Sequence, residues 1–434
     1  MNDHPNICLL SDSFPPLIDG VANAVLNYAD IIQRKYGGAI VAAPNYPGVI
    51  DDYPYRVFRY PSLNTMKSIG YRTGIPYWPG TVRELSKCNI DVIHCHCPFI
   101  STLIARSLRS SSNAPIIFTY HTKYDIDIKN AIELGFMQTA AIKFIVSNIE
   151  ACDEVWVVSE GAGENLRSLG YKGSYLVMEN GADFPRGRAT AEELDALSAE
   201  YGLEPGLPVF LFVGRMMWYK GIRIILEGLH RAKAQGLRFK TLLVGDGFDF
   251  GEIKECAAAL RLTDDLIYTG LVKDRQKLRA IFSRADMFLF PSTFDTSGLV
   301  VREAAACGLP SVLVRGSCAA EGVTDGRNGV LIDENAASLA DAVLRLSRDR
   351  DVMKRMGQNA MDEVFVSWED AVGRAAERYQ IVREDYKNTQ RYADFQDNKL
   401  YKLADDIENA MERLRQYREN HRQSGKRYKY KVKK

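Results

Sequence analysis

The sequence predicts an α/β protein of two doubly wound, Rossmann-like units followed by a helical, basic tail. Three observations predict it. Short apolar runs rich in β-branched residues alternate with helical patterns, as expected of parallel strands covered on both faces. The alternation lapses after Val177 and restarts at Pro208. At 434 residues the chain is also too long for one ordinary core.

In the first unit, Ile7-Cys8-Leu9-Leu10 reads as a buried strand and Asn23 to Ile32 as a helix. Ala39 to Ala43, Asp91 to His94, Ile116 to Thr119, Glu154 to Val158 and Tyr175 to Val177 read as further strands, with a helix near Ser101 to Arg109. In the second, strands are expected at Pro208–Val213, Lys240–Val244, Leu266–Tyr268, Met287–Phe290 and Ser311–Val314. The linker falls near Gly181–Pro185. The expected domains are residues 1–183, residues 184–365, a helix over residues 366–390 that crosses back to the first unit, and a tail over residues 391–434. In open parallel sheets ligands bind beyond the carboxyl ends of the strands. Two such units facing one another would place a cleft between their loop edges.

Composition narrows the classes. A formal net charge of +1 does not suit a nucleic-acid partner for the whole chain. No run approaches the roughly 20 apolar residues of a membrane span, and Met1-Asn2-Asp3-His4-Pro5 carries no secretory leader pattern. The eight cysteines are scattered, and most lie in apolar runs (Cys8, Cys152, Cys256, Cys307). That pattern suits reduced, buried thiols and a cytoplasmic location. The tail differs: residues 422–434 hold seven Lys/Arg and no acid. It reads either as a solvated terminus or as an electrostatic contact with an anionic membrane surface.

Four clusters could carry chemistry. Asp12 to Val21 follows the first strand, and Gly20 permits close backbone approach before a helix start that suits an anion. The alternative is a plain turn. Gly214-Arg215-Met216-Met217-Trp218-Tyr219-Lys220-Gly221 follows the first strand of the second unit. There the Arg215 fork and the Lys220 point charge can converge on a diphosphate; otherwise they are two solvated cations. Phe290 to Ala304 follows a buried strand, with a helix starting near Ser297–Gly298. Its free N–H groups suit a phosphate, and Asp295 and Glu303 can hold hydroxyls of one sugar nucleotide. The bland alternative is a capping Asp and a surface Glu. His121 sits just beyond a strand, as a structural or a catalytic histidine. His94-Cys95-His96-Cys97 is read as packing rather than metal, because its histidines and cysteines point to opposite faces of a strand.

Together these residues resemble family 4 of the nucleotide-sugar glycosyltransferases, which have the GT-B fold. The likeness covers about residues 5–385. Its carriers are the Phe14–Val21 loop, Asp91 to His96, Thr119-Tyr120-His121-Thr122, Val158-Ser159, Glu179-Asn180-Gly181, Gly214-Arg215 with Lys220-Gly221, Val244-Gly245-Asp246-Gly247, Thr269-Gly270, Asp295-x7-Glu303 and Asp325-Gly326-Arg327-Asn328-Gly329.

The resemblance implies a retaining transferase that needs no metal and no cofactor beyond its donor. It implies that Arg215 and Lys220 clamp the donor diphosphate, aided by amides at Ser297, Gly298, Leu299 and Val300. Glu303 would hold the ribose, Asp295 would contact the transferred sugar, and His121 would lie near that sugar's reacting side. Gly20, Gly214 and Gly245 complete the expected donor-binding set. The family's E-x7-E motif begins here with Asp295, shorter than Glu by one methylene, or about 1.5 Å of reach. Residues Tyr120 to Tyr124 and Gly70 to Pro76 are similar to the branch acting on diacylglycerol and related lipids. The expected reaction is therefore hexose transfer from a nucleotide sugar, UDP-sugar favoured, to a lipid hydroxyl at the inner membrane face. A soluble sugar or polysaccharide acceptor is the alternative. A nucleotide-sugar-binding protein without turnover is a reading of another class. A nicotinamide-dependent dehydrogenase lacks its G-x-G-x-x-G fingerprint here.

Overall fold

The computed structural model describes residues 4–17, 19–66, 71–76, 78, 80–125, 128 and 135–388. Gly70 and the tail beyond residue 388, with its basic run, lie outside the described residues. Two compact units divide the chain. One takes the chain to Val157, Leu166–Leu176 and the chain from Val372; the other takes Val158–Asn165 and Val177–Ala371.

The first unit contains β1 (Asn6–Leu10), β2 (Gly38–Pro44), β3 (Arg56–Tyr60), β4 (Ser62–Leu63), β5 (Thr73–Gly74), β6 (Val92–Cys95), β7 (Ile116–Tyr120), β8 (Glu154–Val157) and the first residue of β9 (Leu176–Val177). Its main sheet runs β3-β2-β1-β6-β7-β8-β9, and β4 pairs with β5 in an antiparallel hairpin. Pairings from β3 through β8 are parallel. The sequence did not suggest β3 or the hairpin. β3 reads Arg-Val-Phe-Arg-Tyr at a sheet edge, half exposed, so it lacks the continuous apolar run of a central strand. The helix Gly20–Ile31 is capped by the Asp19 carboxylate, which accepts from the Ala22 amide at 2.8 Å. It ends in a five-residue π turn, Ile32–Tyr36.

The second unit contains β10 (Val209–Val213), β11 (Lys240–Val244), β12 (Leu266–Gly270), β13 (Met287–Phe290), β14 (Ser311–Val314) and β15 (Gly329–Ile332). The order is β12-β11-β10-β13-β14-β15, all parallel. This is the doubly wound order, with its reversal between β10 and β13. β15 follows directly on the Asp325–Gly329 turn and has no separate strand signal in the sequence. Val209 to Phe212 and all of β13 are buried, which is why these strands read as unbroken apolar runs. Helices Ile222–Ala234, Arg275–Arg284, Leu299–Ala306 and Ala336–Leu346 line this core.

All eight cysteines are free, but Cys152 and Cys256 are half-buried rather than buried. No described helix is long and apolar enough to cross a membrane.

Candidate active site

The second unit's topology brings two loops together. The chain leaves β10 at Gly214 and leaves β13 at Pro291, and these neighbouring strands flank the reversal. Gly221 ends the first loop with φ +77°, and a Cβ there would stand 2.2 Å from the Pro291 carbonyl oxygen. Only glycine fits both the left-handed backbone and that approach. Beside it, Lys220 donates to Asp295 Oδ1 at 2.7 Å. Ser292 donates to Asp295 Oδ2 at 2.6 Å.

Lys220 is largely buried, at 7% exposure, so its ammonium needs a counter-charge. Asp295 supplies it, and two aromatic rings complete the surroundings. Tyr219 and Phe294 lie 4.5 Å apart, centroid to centroid. Lys220 Nζ is 5.6 Å from the first ring centroid and 5.5 Å from the second. Arg215 is exposed, with its guanidinium 5.8 Å from the Tyr219 ring centroid. The two predicted cations thus border one ring. Gly214 and Gly245 meet as well: a Cβ on Gly245 would fall 2.0 Å from the Gly214 oxygen.

The helix Leu299–Ala306 follows the second loop. Gly298 is its N-cap, with φ 57° and no side-chain cap. The first-turn N–H groups of a helix have no partners within the helix, and they carry partial positive charge. Asn180 reaches Ser297 Oγ at 3.5 Å. Glu303 lies on this helix and accepts from Arg275 at 2.7 Å. Burial pushes its carboxyl above the usual range, opposed by the Arg275 charge. Arg302, the preceding residue, is buried and donates to Glu179 at 2.6 Å.

Lys220 and Asp295 are therefore in direct contact. Arg215 shares their aromatic ring, while Glu303 is held by Arg275. Ser292, Tyr219, Phe294 and Arg275 belong to this set without standing out in the sequence. Ser292, three residues before Asp295 in a loop, had the spacing of a local side-chain hydrogen bond. Arg275 had no local signal, because it arrives from another helix.

Gly20 and His121 belong to the first unit. Gly20 opens a helix whose start is capped by the Asp19 carboxylate. The neighbouring Asp12 is buried, accepts from Tyr60 and Ser101, and burial raises its pKa to about 6. His121 is buried, which lowers its pKa to about 3, and its Nε2 lies 2.9 Å from His96 Nδ1. His94 Nδ1 meets the Tyr379 hydroxyl and Nε2 meets Thr119 Oγ1, each at 2.7 Å. Burial holds His94 and His96 well below the usual imidazole range. Among the described residues, no group of three His, Cys, Asp or Glu is placed to hold a metal ion.

Comparison with known proteins agrees with this architecture. The family model described as Glycosyl transferases group 1 matches residues 195–363, and Glycosyltransferase Family 4 matches residues 18–186. Alpha-monoglucosyldiacylglycerol synthase of Streptococcus pneumoniae is 25% identical over 311 residues, 70% of this chain and 70% of that protein. A GDP-mannose-dependent alpha-mannosyltransferase of Corynebacterium glutamicum is 24% identical over 389 residues, 87% of this chain and 89% of that one. The crystal structure of Anabaena HepE in complex with UDP aligns with TM-score 0.69 and 17% identity, covering 86% of this chain and 99% of that one. At that identity the likeness speaks to the fold alone. The fold and the matched models define a sugar-transferring enzyme of two Rossmann-like domains. The chain belongs to the family 4 glycosyltransferases, with the GT-B fold.

Proposed function

We propose that this enzyme moves a hexose from a nucleoside-diphosphate sugar, UDP-sugar favoured, to a hydroxyl of a membrane lipid such as diacylglycerol or a glycolipid, with retention at the anomeric carbon. The observation that carries the donor half is the Lys220–Asp295 contact at the strand reversal, with a helix start in the same loop. Two cations and oriented N–H groups suit a departing diphosphate. UDP in the HepE complex supports the choice of base, and the S. pneumoniae synthase supports the choice of acceptor.

In this reading Lys220, Arg215 and the amides of Ser297 to Val300 stabilise charge as the sugar–phosphate bond breaks. Glu303 holds the ribose, in exchange for its Arg275 contact. Asp295 pairs with Lys220 and borders the transferred sugar. His121 serves that sugar's reacting side. Gly20, Gly214 and Gly245 let backbone approach the phosphates. The leaving phosphate assists the acceptor's attack from the face it vacates. A trapped glycosyl-enzyme adduct would contradict that step.

A thermal-shift screen over UDP-, GDP- and ADP-sugars tests the donor. Product analysis with diacylglycerol and with soluble sugars tests the acceptor. One observation favours the soluble alternative: helix Gly135–Glu150 carries a single cation, Lys143, little for binding an anionic membrane. Flotation with anionic liposomes, comparing the full chain with one ending at Ser424, tests the tail. Equal recovery in the lipid-free fraction counts against the membrane reading. Donor binding without transfer or donor hydrolysis would favour the binding-protein reading.

A further inference from the structure

The buried histidines of the first unit fix more than packing. His94 and His96 are two residues apart on β6 and its continuation, with ring centroids 4.1 Å apart. Tyr28 stands edge-on to both, at 5.5 Å. His94 has a hydroxyl on each ring nitrogen, and hydroxyls donate or accept as required. His96 is different. Its Nδ1 meets His121 Nε2 at 2.9 Å, and its Nε2 is buried with no hydrogen-bond partner among the described residues.

That orphan atom decides where the protons sit. A 2.9 Å contact between two neutral imidazoles holds one proton. If His121 Nε2–H donated, His96 would carry its own proton on Nε2, as a buried N–H with no acceptor. Orphaned buried N–H groups are the rarer defect in folded proteins. If His96 Nδ1–H donates, the orphan is a bare lone pair, and the stranded donor is avoided. Burial keeps both rings neutral at neutral pH, so neither bond partner is an imidazolium.

We infer that His96 is a positioning residue that sets the tautomer of His121, donating from Nδ1 to His121 Nε2 and leaving His121 as the Nδ1–H form. His121 then carries its proton on Nδ1, and its Nε2 lone pair is engaged by His96. The ring acts as a hydrogen-bond donor and not as a base through Nε2. The catalytic consequence rests on the role given to His121 above; the tautomer does not.

The test uses the full chain with ¹⁵N-labelled histidine. The six histidines are few enough to assign by single substitutions. The wild-type spectrum should show His121 protonated on Nδ1 and bare on Nε2, and His96 protonated on Nδ1. His96→Asn places an amide N–H where Nδ1 was, and should keep the His121 tautomer and activity within about threefold. His96→Leu should release His121 to a mixture of tautomers. It should lower kcat roughly 10- to 100-fold, the cost of one oriented hydrogen bond, with UDP affinity and donor KM within about twofold. If His96→Leu does not fold, the wild-type and His96→Asn spectra decide. A His121 that carries its proton on Nε2 in the wild type overturns the inference. So does a tautomer unchanged in His96→Leu. A shifted tautomer with unchanged kcat leaves the inference standing and removes His121 from the proposed mechanism.

Discussion

Gly221 and Pro291 touch backbone to backbone: a Cβ on the glycine would lie 2.2 Å from the proline carbonyl oxygen. This approach locks the loop after β10 to the loop after β13 and so sets Lys220 beside Asp295. Gly221→Ala must bear a left-handed backbone, worth roughly 1–2 kcal/mol, and a clash that no rotamer relieves, worth about 1–3 kcal/mol more. Gly236 has φ +87° but nothing within 4 Å of its missing Cβ. Gly236→Ala should therefore lose only the first part. Urea midpoints of the two variants measure the difference. Equal losses would mean the loop contact is not tight.

Arg215 should matter for its shape as well as its charge. An exposed guanidinium bordering Tyr219 can fork onto two phosphate oxygens, whereas an ammonium cannot. Arg215→Lys should retain less than about a tenth of wild-type kcat/KM for the donor, close to Arg215→Ala. A fully active Arg215→Lys would make Arg215 a bystander.

Glu303 is expected to hold the nucleotide equally in ground and transition states. Glu303→Gln should then raise donor KM roughly tenfold or more, the scale of a charge-assisted hydrogen bond, with kcat nearly unchanged. Its stability should change little, because the Arg275 released is about half exposed. Steady-state kinetics over donor concentration separate the two constants. A fall in kcat alone would place Glu303 at the reacting sugar instead.

Acid should destabilise the enzyme from near pH 6.5 downward. Burial lowers the pKa of His94, His96 and His121, so below about 6.5 the unfolded chain binds protons that the folded one refuses. Each such proton removes up to about 1.4 kcal/mol per pH unit. Asp12 and Glu303 act oppositely. Their folded pKa values are raised, so their contribution is fully present below the unfolded value and is lost as pH rises through the folded one, about 6 for Asp12. Three imidazoles outweigh two carboxyls. The urea midpoint should fall between pH 7.5 and pH 5.5, and a flat or rising midpoint would contradict the buried, neutral imidazoles.

The parts legible in the sequence were those set by local pattern. β10 and β13 announced themselves because a central parallel strand is apolar on both faces. β3 and β15 did not, since an edge strand needs no such run and β15 merges with the turn at Asp325–Gly329. Gly298 ahead of Leu299 marked a helix start. The Lys220–Asp295 contact joins residues 75 positions apart, and only the strand order makes them neighbours. Arg275 reaches Glu303 from a separate helix, and the Tyr219–Phe294 surroundings of Lys220 depend on both loops. Asp19 was visible yet read as loop; an Asp directly before an apolar-periodic helix is a capping signal.

Titration of UDP into the wild-type chain and into Lys220→Ala, followed by calorimetry, tests the assignment of these two loops to the donor diphosphate. One UDP per wild-type chain is expected, with affinity falling at least about tenfold in the variant. UDP that binds both proteins alike would contradict the account.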